Sequence, residues 1–194
     1  MGFPTVFVRL TGCPLRCQYC DTAYAFKGGS SHSIDDIICK VQAYQVPRVT
    51  VTGGEPLAQK ACRDLLHHLC EQGLSVSLET SGALSIDKID PRVHIVMDLK
   101  TPDSGEVTRN RWDNLALLRQ ADEVKFVIGG REDYDWCMQV MAEHQLSDRC
   151  QVLFSPVQDV LSPTQLADWI VADRARVRFQ IQLHKVLWGD QAGK

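Results

Sequence analysis

No apolar run in the 194-residue chain approaches the roughly twenty residues that a membrane-spanning helix requires. The N-terminus also lacks a basic region followed by a hydrophobic one, so no secretory leader is read there. Neither sign of charge is in excess. Lys and Arg number 21 against 24 Asp and Glu, a net charge of −3, which gives no electrostatic reason to expect nucleic-acid or membrane partners. There is no low-complexity segment, obvious linker or clear short repeat, so residues 1–194 read as one domain. Cysteine, by contrast, is plentiful. Eight cysteines with no leader imply reduced thiols and metal ligation rather than disulfides, and a cytoplasmic location is expected.

Strand-like and helix-like segments alternate along the chain. Strands are predicted at 5–10, 48–52, 74–79, 93–99, 124–128, 151–154 and 177–183. Ser33 and Asp36 form a capping box ahead of Ile34, Ile37, Ile38 and Val41 at helical spacing. A second helix is predicted over 58–72, with Cys62, Leu65, Leu66 and Leu69 on one face and Gly73 as its stop. Further helical patterns carry Tyr134, Cys137, Met138 and Met141, or follow Pro163. This order implies right-handed βαβ units and a mostly parallel sheet. The chain is shorter than the roughly 250 residues of a full eight-stranded barrel, so an incomplete, partial TIM-like βα barrel is expected.

Polar and glycine-rich segments sit at or just past the predicted C-terminal ends of these strands. They are Thr52-Gly53-Gly54-Glu55-Pro56, Glu79-Thr80-Ser81-Gly82, Asp98-Leu99-Lys100, Ser155-Pro156 and His184-Lys185. In a parallel barrel such ends converge on one face, which predicts a single site.

The first strand leads into Cys13-Pro14-Leu15-Arg16-Cys17-Gln18-Tyr19-Cys20. Three thiolates in eight residues can hold a soft metal centre, whereas a structural zinc or a closed cluster takes four protein ligands. A closed site would need a fourth ligand, for which His32 or Cys39 is available. A redox pair of Cys17 and Cys20 would leave Cys13 without a role. Cys62 and Cys137 read as small core residues, and Cys39, Cys70 and Cys150 as structural or incidental. His67-His68 reads as a helix surface, and Arg174, Arg176 and Arg178 as a solvated strand edge.

The spacing of Cys13, Cys17 and Cys20, with aromatic Tyr19 before the third, resembles the radical S-adenosylmethionine (SAM) superfamily, as does Gly53-Gly54-Glu55-Pro56. Together with the segment from Pro4 to Leu10, Gly12-Cys13, Cys20-Asp21-Thr22, Glu79-Thr80 and His184-Lys185, the chain is similar throughout to the 7-carboxy-7-deazaguanine synthase family. The resemblance implies a 4Fe–4S cluster on Cys13, Cys17 and Cys20 whose fourth iron chelates the methionine end of SAM. It implies one-electron cleavage of SAM, hydrogen abstraction from C6 of 6-carboxy-5,6,7,8-tetrahydropterin, ring contraction and loss of ammonia. The protein's share of such chemistry is to hold the cofactor and exclude competing reactions.

By the same resemblance Tyr19 would pack near the adenine, and Gly53, Gly54 and Glu55 would meet the cofactor's amino group. Asp98, Leu99 and Lys100, with Ser155, Pro156, Val157 and Gln158, would contribute cofactor contacts. Arg9 would pair with the substrate carboxylate, Thr52 would hydrogen-bond the pterin, and Glu79 would touch substrate or cofactor. Thr22 would ligate Mg²⁺, a hard cation suited to oxygen donors. A flavodoxin or ferredoxin would supply the electron, and a homodimer is expected. Taken singly, Arg9 reads more readily as a snorkelling strand-end residue, Thr22 as a turn residue and Lys100 as a surface lysine than as site residues. Their shared place at strand ends favours the site.

The sequence departs from the family at both ends. It begins at the first strand, where members have a preceding segment of about twenty residues. It continues past His184-Lys185 through Asp190 to Lys194, so Asp190 is a candidate substitute for a chain-terminal carboxylate. A glycyl-radical-enzyme activase is the alternative enzyme reading, and a non-catalytic metal-binding module the third.

Overall fold

The computed structural model describes residues 2–189 and 191. Seven strands form one sheet: β1 (Val6–Leu10), β2 (Arg48–Gly53), β3 (Ser75–Thr80), β4 (His94–Leu99), β5 (Glu123–Ile128), β6 (Gln151–Pro156) and β7 (Arg178–Phe179). Every pair is parallel, and the spatial order repeats the chain order from β1 to β7. Among the described residues the α-helices are α1 (Ile34–Ala43), α2 (Cys62–Glu71), α3 (Arg131–Glu143), α4 (Leu146–Arg149), α5 (Pro163–Ala172) and α6 (Leu183–Trp188). Among the described residues β1 and β7 do not pair, so the curved sheet is the incomplete barrel expected from the sequence.

The strand sequences explain why the barrel stays open. Side chains alternate between faces along a strand. Val49, Val51, Val76, Leu78, Ile95, Met97, Val124, Phe126, Val152 and Phe154 point outward and are buried in the core under the helices. Residues of the other parity, such as Thr50, Thr52, Glu79, Asp98 and Lys125, line a cavity instead. A closed eight-stranded barrel fills its interior with layers of branched apolar side chains. Here that inner surface is polar, and it remains available to ligands.

Local signals place the helices. Asp36 N–H donates to Ser33 Oγ at 3.1 Å and Ser33 N–H to Asp36 Oδ2 at 3.3 Å, completing the capping box of α1. The second helix begins at Cys62 rather than at 58, because Pro56–Ala58 forms a separate 3₁₀ turn capped by Glu55. No helix joins β3 to β4, and the β4–β5 connection consists of 3₁₀ turns.

β7 is shorter than the predicted 177–183. It pairs with β6 only through Leu153–Arg178 and Phe154–Phe179, and both of its residues are exposed. Its apolar parity, Phe179, Ile181 and Leu183, is not buried in the core, and the chain leaves the sheet and turns into α6. His184-Lys185 therefore sits in a helix, not at a strand end. The arginines do not share a strand edge either. Arg174 lies in a turn at φ +48°, Arg176 pairs with Asp148, and Arg178 alone lies in β7, paired with Glu123.

Candidate active site

The C-terminal strand ends surround a cavity of about 1460 Å³. Its floor is a polar ladder set by strand register. Arg9 lies opposite Thr52, and the Thr52 hydroxyl donates to Glu79 Oε2 at 3.3 Å. The Arg9 guanidinium stands 5.7 Å from the centre of the Tyr24 ring. Arg9, Thr52 and Glu79 all face the cavity.

The cysteine loop roofs this floor and is tied down from both sides. Toward β2, Glu55 N–H donates to Gly12 O at 2.8 Å and Gly54 N–H to Leu10 O at 3.1 Å. Toward the β4–β5 connection, Gln18 N–H donates to Ser104 O at 3.0 Å. Arg16 donates to the carbonyls of Cys13 and Leu15 and lies 4.4 Å above the Phe26 ring. Tyr19 is fixed at the β5 end, its hydroxyl 3.3 Å from both Thr101 Oγ1 and Val127 O.

Cys13, Cys17 and Cys20 are half-buried, and all three line the cavity. Burial pushes the Cys13 thiol up and the Cys17 thiol to about 11, the nearby Lys100 offsetting only part of the effect. A metal must therefore displace these protons to bind thiolate. Among the described residues, no three His, Cys, Asp or Glu side chains gather closely enough for a single ion. His32 interacts with Lys40, and Cys39 is exposed on α1. Neither candidate fourth ligand gathers with the three cysteines among the described residues. Three separated soft donors around one cavity suit a polynuclear cluster, in which each thiolate takes its own iron.

The Gly53-Gly54 backbone is where β2 and the cysteine loop come closest. Gly53 has φ +154°, and a Cβ there would strike the Leu10 carbonyl; at Gly54 it would strike the Gly12 carbonyl and approach Cys13 Cβ to 2.8 Å. Both glycines line the cavity. Glu55 is placed differently from the two glycines. It is fully buried and is not part of the cavity wall. Its carboxylate accepts Leu57 N–H at 2.9 Å, Thr80 Oγ1 at 2.9 Å, Ser81 N–H at 2.7 Å and the Ser81 hydroxyl. Glu55 therefore locks β2 to β3 beneath the site.

At the end of β4, Lys100 Nζ pairs with Asp98 Oδ2 at 3.1 Å. Burial works against the Lys100 charge, but the Asp98 carboxylate and the Cys17 and Tyr19 groups outweigh it and raise its pKa. Asn110 holds the Lys100 backbone through two 2.8 Å bonds. Asp98 Oδ1 is buried and has no partner among the described residues. A buried acceptor left unsatisfied is costly, so a ligand donor at this point would be favoured. Leu99 points away into the core, and Ser155 and Pro156 are buried outside the cavity wall, so these three do not join the site directly. Val157 and Gln158 do line it.

Thr22 lines the cavity and donates to Asp21 Oδ1 at 2.7 Å, while Gln182 Nε2 donates to Asp21 Oδ2 at 2.5 Å. The Thr22 oxygen keeps lone pairs for a cation. Such sparse oxygen ligation suits Mg²⁺, which usually retains several waters. His184 and Lys185 reach the cavity from α6. Asp190 lies outside the described residues. Sequence reading missed the Asp21–Gln182 bond and Lys125. The lysine's signal was its place between Val124 and Phe126 in a largely apolar strand.

Comparison with known proteins matches the family model described as "Radical SAM superfamily" to residues 7–143. A 7-carboxy-7-deazaguanine synthase of Chlorobaculum tepidum is 43% identical over 194 residues, covering 98% of this chain and 88% of the relative. One from Koribacter versatilis is 38% identical, covering 96% and 89%. Among solved structures, Streptococcus suis SuiB bound to precursor peptide SuiA superposes with a TM-score of 0.65 at 16% identity, over 96% of this chain and 51% of that one. SuiB bound to S-adenosylmethionine gives 0.63 at 15% identity, over 93% and 48%. The chain thus spans about half of the SuiB length, and at such identity the likeness shows the fold alone.

Proposed function

Because the chain belongs to the radical SAM superfamily and, within it, to the 7-carboxy-7-deazaguanine synthases, we propose that it forms 7-carboxy-7-deazaguanine in queuosine and deazapurine biosynthesis. The proposed substrate is 6-carboxy-5,6,7,8-tetrahydropterin, and ammonia is lost as the ring contracts. The observation that carries this reading is the pairing of a three-cysteine roof with a polar floor of Arg9, Thr52 and Glu79 in one cavity.

Cys13, Cys17 and Cys20 would hold the 4Fe–4S cluster. When bound, the cluster with SAM supplies the one-electron chemistry that starts the reaction. Gly53 and Gly54 leave backbone room beside Cys13 for the methionine end of SAM. Asp98 Oδ1 would accept a cofactor hydrogen bond, and Lys100 holds Asp98 in place. Tyr19, Val157 and Gln158 would flank the adenosyl group. Leu99, Ser155 and Pro156 would act from behind, by fixing the backbone of those strand ends.

Arg9 would pair with the pterin carboxylate, which its forked guanidinium suits. Thr52 and Glu79 would hydrogen-bond the ring, and Thr22 would ligate Mg²⁺ with Asp21 orienting its hydroxyl. We assign a homodimer, a flavodoxin or ferredoxin as reductant, and a cytoplasmic location. The described residues include no helix long and apolar enough to cross a membrane. The relatives favour the synthase over a glycyl-radical-enzyme activase.

The test is anaerobic reconstitution with reductant, SAM, Mg²⁺ and the carboxytetrahydropterin, followed by mass spectrometry. Formation of 7-carboxy-7-deazaguanine is expected. Cysteine-dependent 5′-deoxyadenosine without the deazaguanine would refute the substrate assignment and leave the radical chemistry standing.

A further inference from the structure

Two residues on β5 face the cavity, Lys125 and Val127, while Val124 and Phe126 are buried in the core on the other side. Lys125 stands on the fifth of seven strands, directly opposite Asp98 in the β4–β5 register. Yet Asp98 turns one oxygen to Lys100 and leaves the other without a partner. Among the described residues the Lys125 side chain has neither a hydrogen bond nor an ion pair. An ammonium half-buried in a cavity floor loses hydration, and an anionic ligand is what compensates that loss.

The other charges on the floor are committed. Glu79 accepts from Thr52, and Lys100 is paired with Asp98. Arg9 stands over Tyr24 on β1, four strands away from Lys125. The two reactants proposed above carry one carboxylate each, on the methionine end of SAM and on the pterin. A single guanidinium on β1 meets only one of them.

Resting on that reading of the cavity, we propose that Lys125 is a carboxylate-binding residue and takes the carboxylate that Arg9 does not. Its place under the cysteine roof supports this, since Tyr19 of that roof bonds the Val127 carbonyl two residues further along β5.

The experiment measures equilibrium binding to the reconstituted holoenzyme and to its Lys125→Met and Lys125→Gln variants. The probes are SAM, decarboxylated SAM, 6-carboxytetrahydropterin and tetrahydropterin without the carboxylate. Losing one charge-assisted hydrogen bond should weaken one carboxylated probe about 10- to 100-fold, with its carboxylate-free analogue unaffected. Whichever probe responds identifies the source, and Lys125→Arg should restore part of the loss. Melting curves on both neutral variants separate a folding defect from lost binding. The proposal is overturned if both carboxylated probes bind the folded variants as they bind wild type, or if the carboxylate-free analogues weaken equally. Should the wild-type enzyme bind SAM but not the carboxypterin, the substrate reading fails by itself, and the SAM pair still decides Lys125.

Discussion

Glu55→Gln separates two roles for the acid of the Gly-Gly-Glu-Pro segment. In the structure its carboxylate is fully buried and receives hydrogen bonds from two backbone N–H groups, Leu57 and Ser81, and from two hydroxyls, Thr80 and Ser81. An amide of the same shape keeps one acceptor oxygen but turns an NH₂ toward at least one backbone donor. The hydroxyls can rotate to accept from that NH₂, whereas a backbone N–H has no such freedom. One or two buried donors left unsatisfied cost about 1–3 kcal/mol each, so a loss of about 2–4 kcal/mol is expected. That is a large share of a stability of about 5–15 kcal/mol. Denaturant unfolding of the reduced, metal-free protein under anaerobic conditions measures it. SAM affinity of the folded, reconstituted fraction should stay within about threefold of wild type, because Glu55 is not part of the cavity wall. The reasoning is refuted if stability changes by less than about 0.5 kcal/mol while SAM binding collapses. That outcome would make Glu55 a direct cofactor contact.

Gly54→Ala forces a methyl group against the Gly12 carbonyl and Cys13 Cβ. Iron and sulfide content after reconstitution should fall to less than about half of wild type, because overpacking displaces the loop. Cys62, buried on α2, has its thiol pushed up to about 12 by burial. The folded state therefore holds its proton more tightly than the unfolded state does. The resulting stability is complete below pH 9 and is lost as pH rises toward 12, and unfolding of Cys62→Ala should lack that part of the alkaline decline. Gln182→Ala removes the donor to Asp21. It should raise the Mg²⁺ concentration for half-maximal turnover about 3- to 10-fold, with the KM for SAM unchanged.

What the sequence disclosed depended on how local the cause was. The capping box at Ser33 and Asp36 needs only four consecutive residues, and α1 begins where it predicts. Most strands were legible because apolar outward residues alternate with polar inward ones, as in Arg48–Gly53. β7 misled because its alternating apolar residues find little cover, Phe179 and Leu183 staying exposed, and only two of its residues pair. At the site, the cysteines and the polar strand ends were visible as one-dimensional patterns. The inward turn of Glu55 was not, since its partners Thr80 and Ser81 lie 25 and 26 residues away. The Asp21–Gln182 bond spans 161 residues and has no local signature.

The agreement of strand order with chain order also bears on how the protein is made. Each strand emerging from the ribosome finds its neighbour already present, so the sheet can grow in one direction with only short loops to close. The cysteine loop is synthesised early but waits for Ser104, the acceptor of the Gln18 N–H, before it is held on its far side. Asp21 waits longer, until Gln182 arrives. The far-side anchor of the cysteine loop can thus form only once residue 104 has been made, and the contact that holds Asp21 only once residue 182 has been.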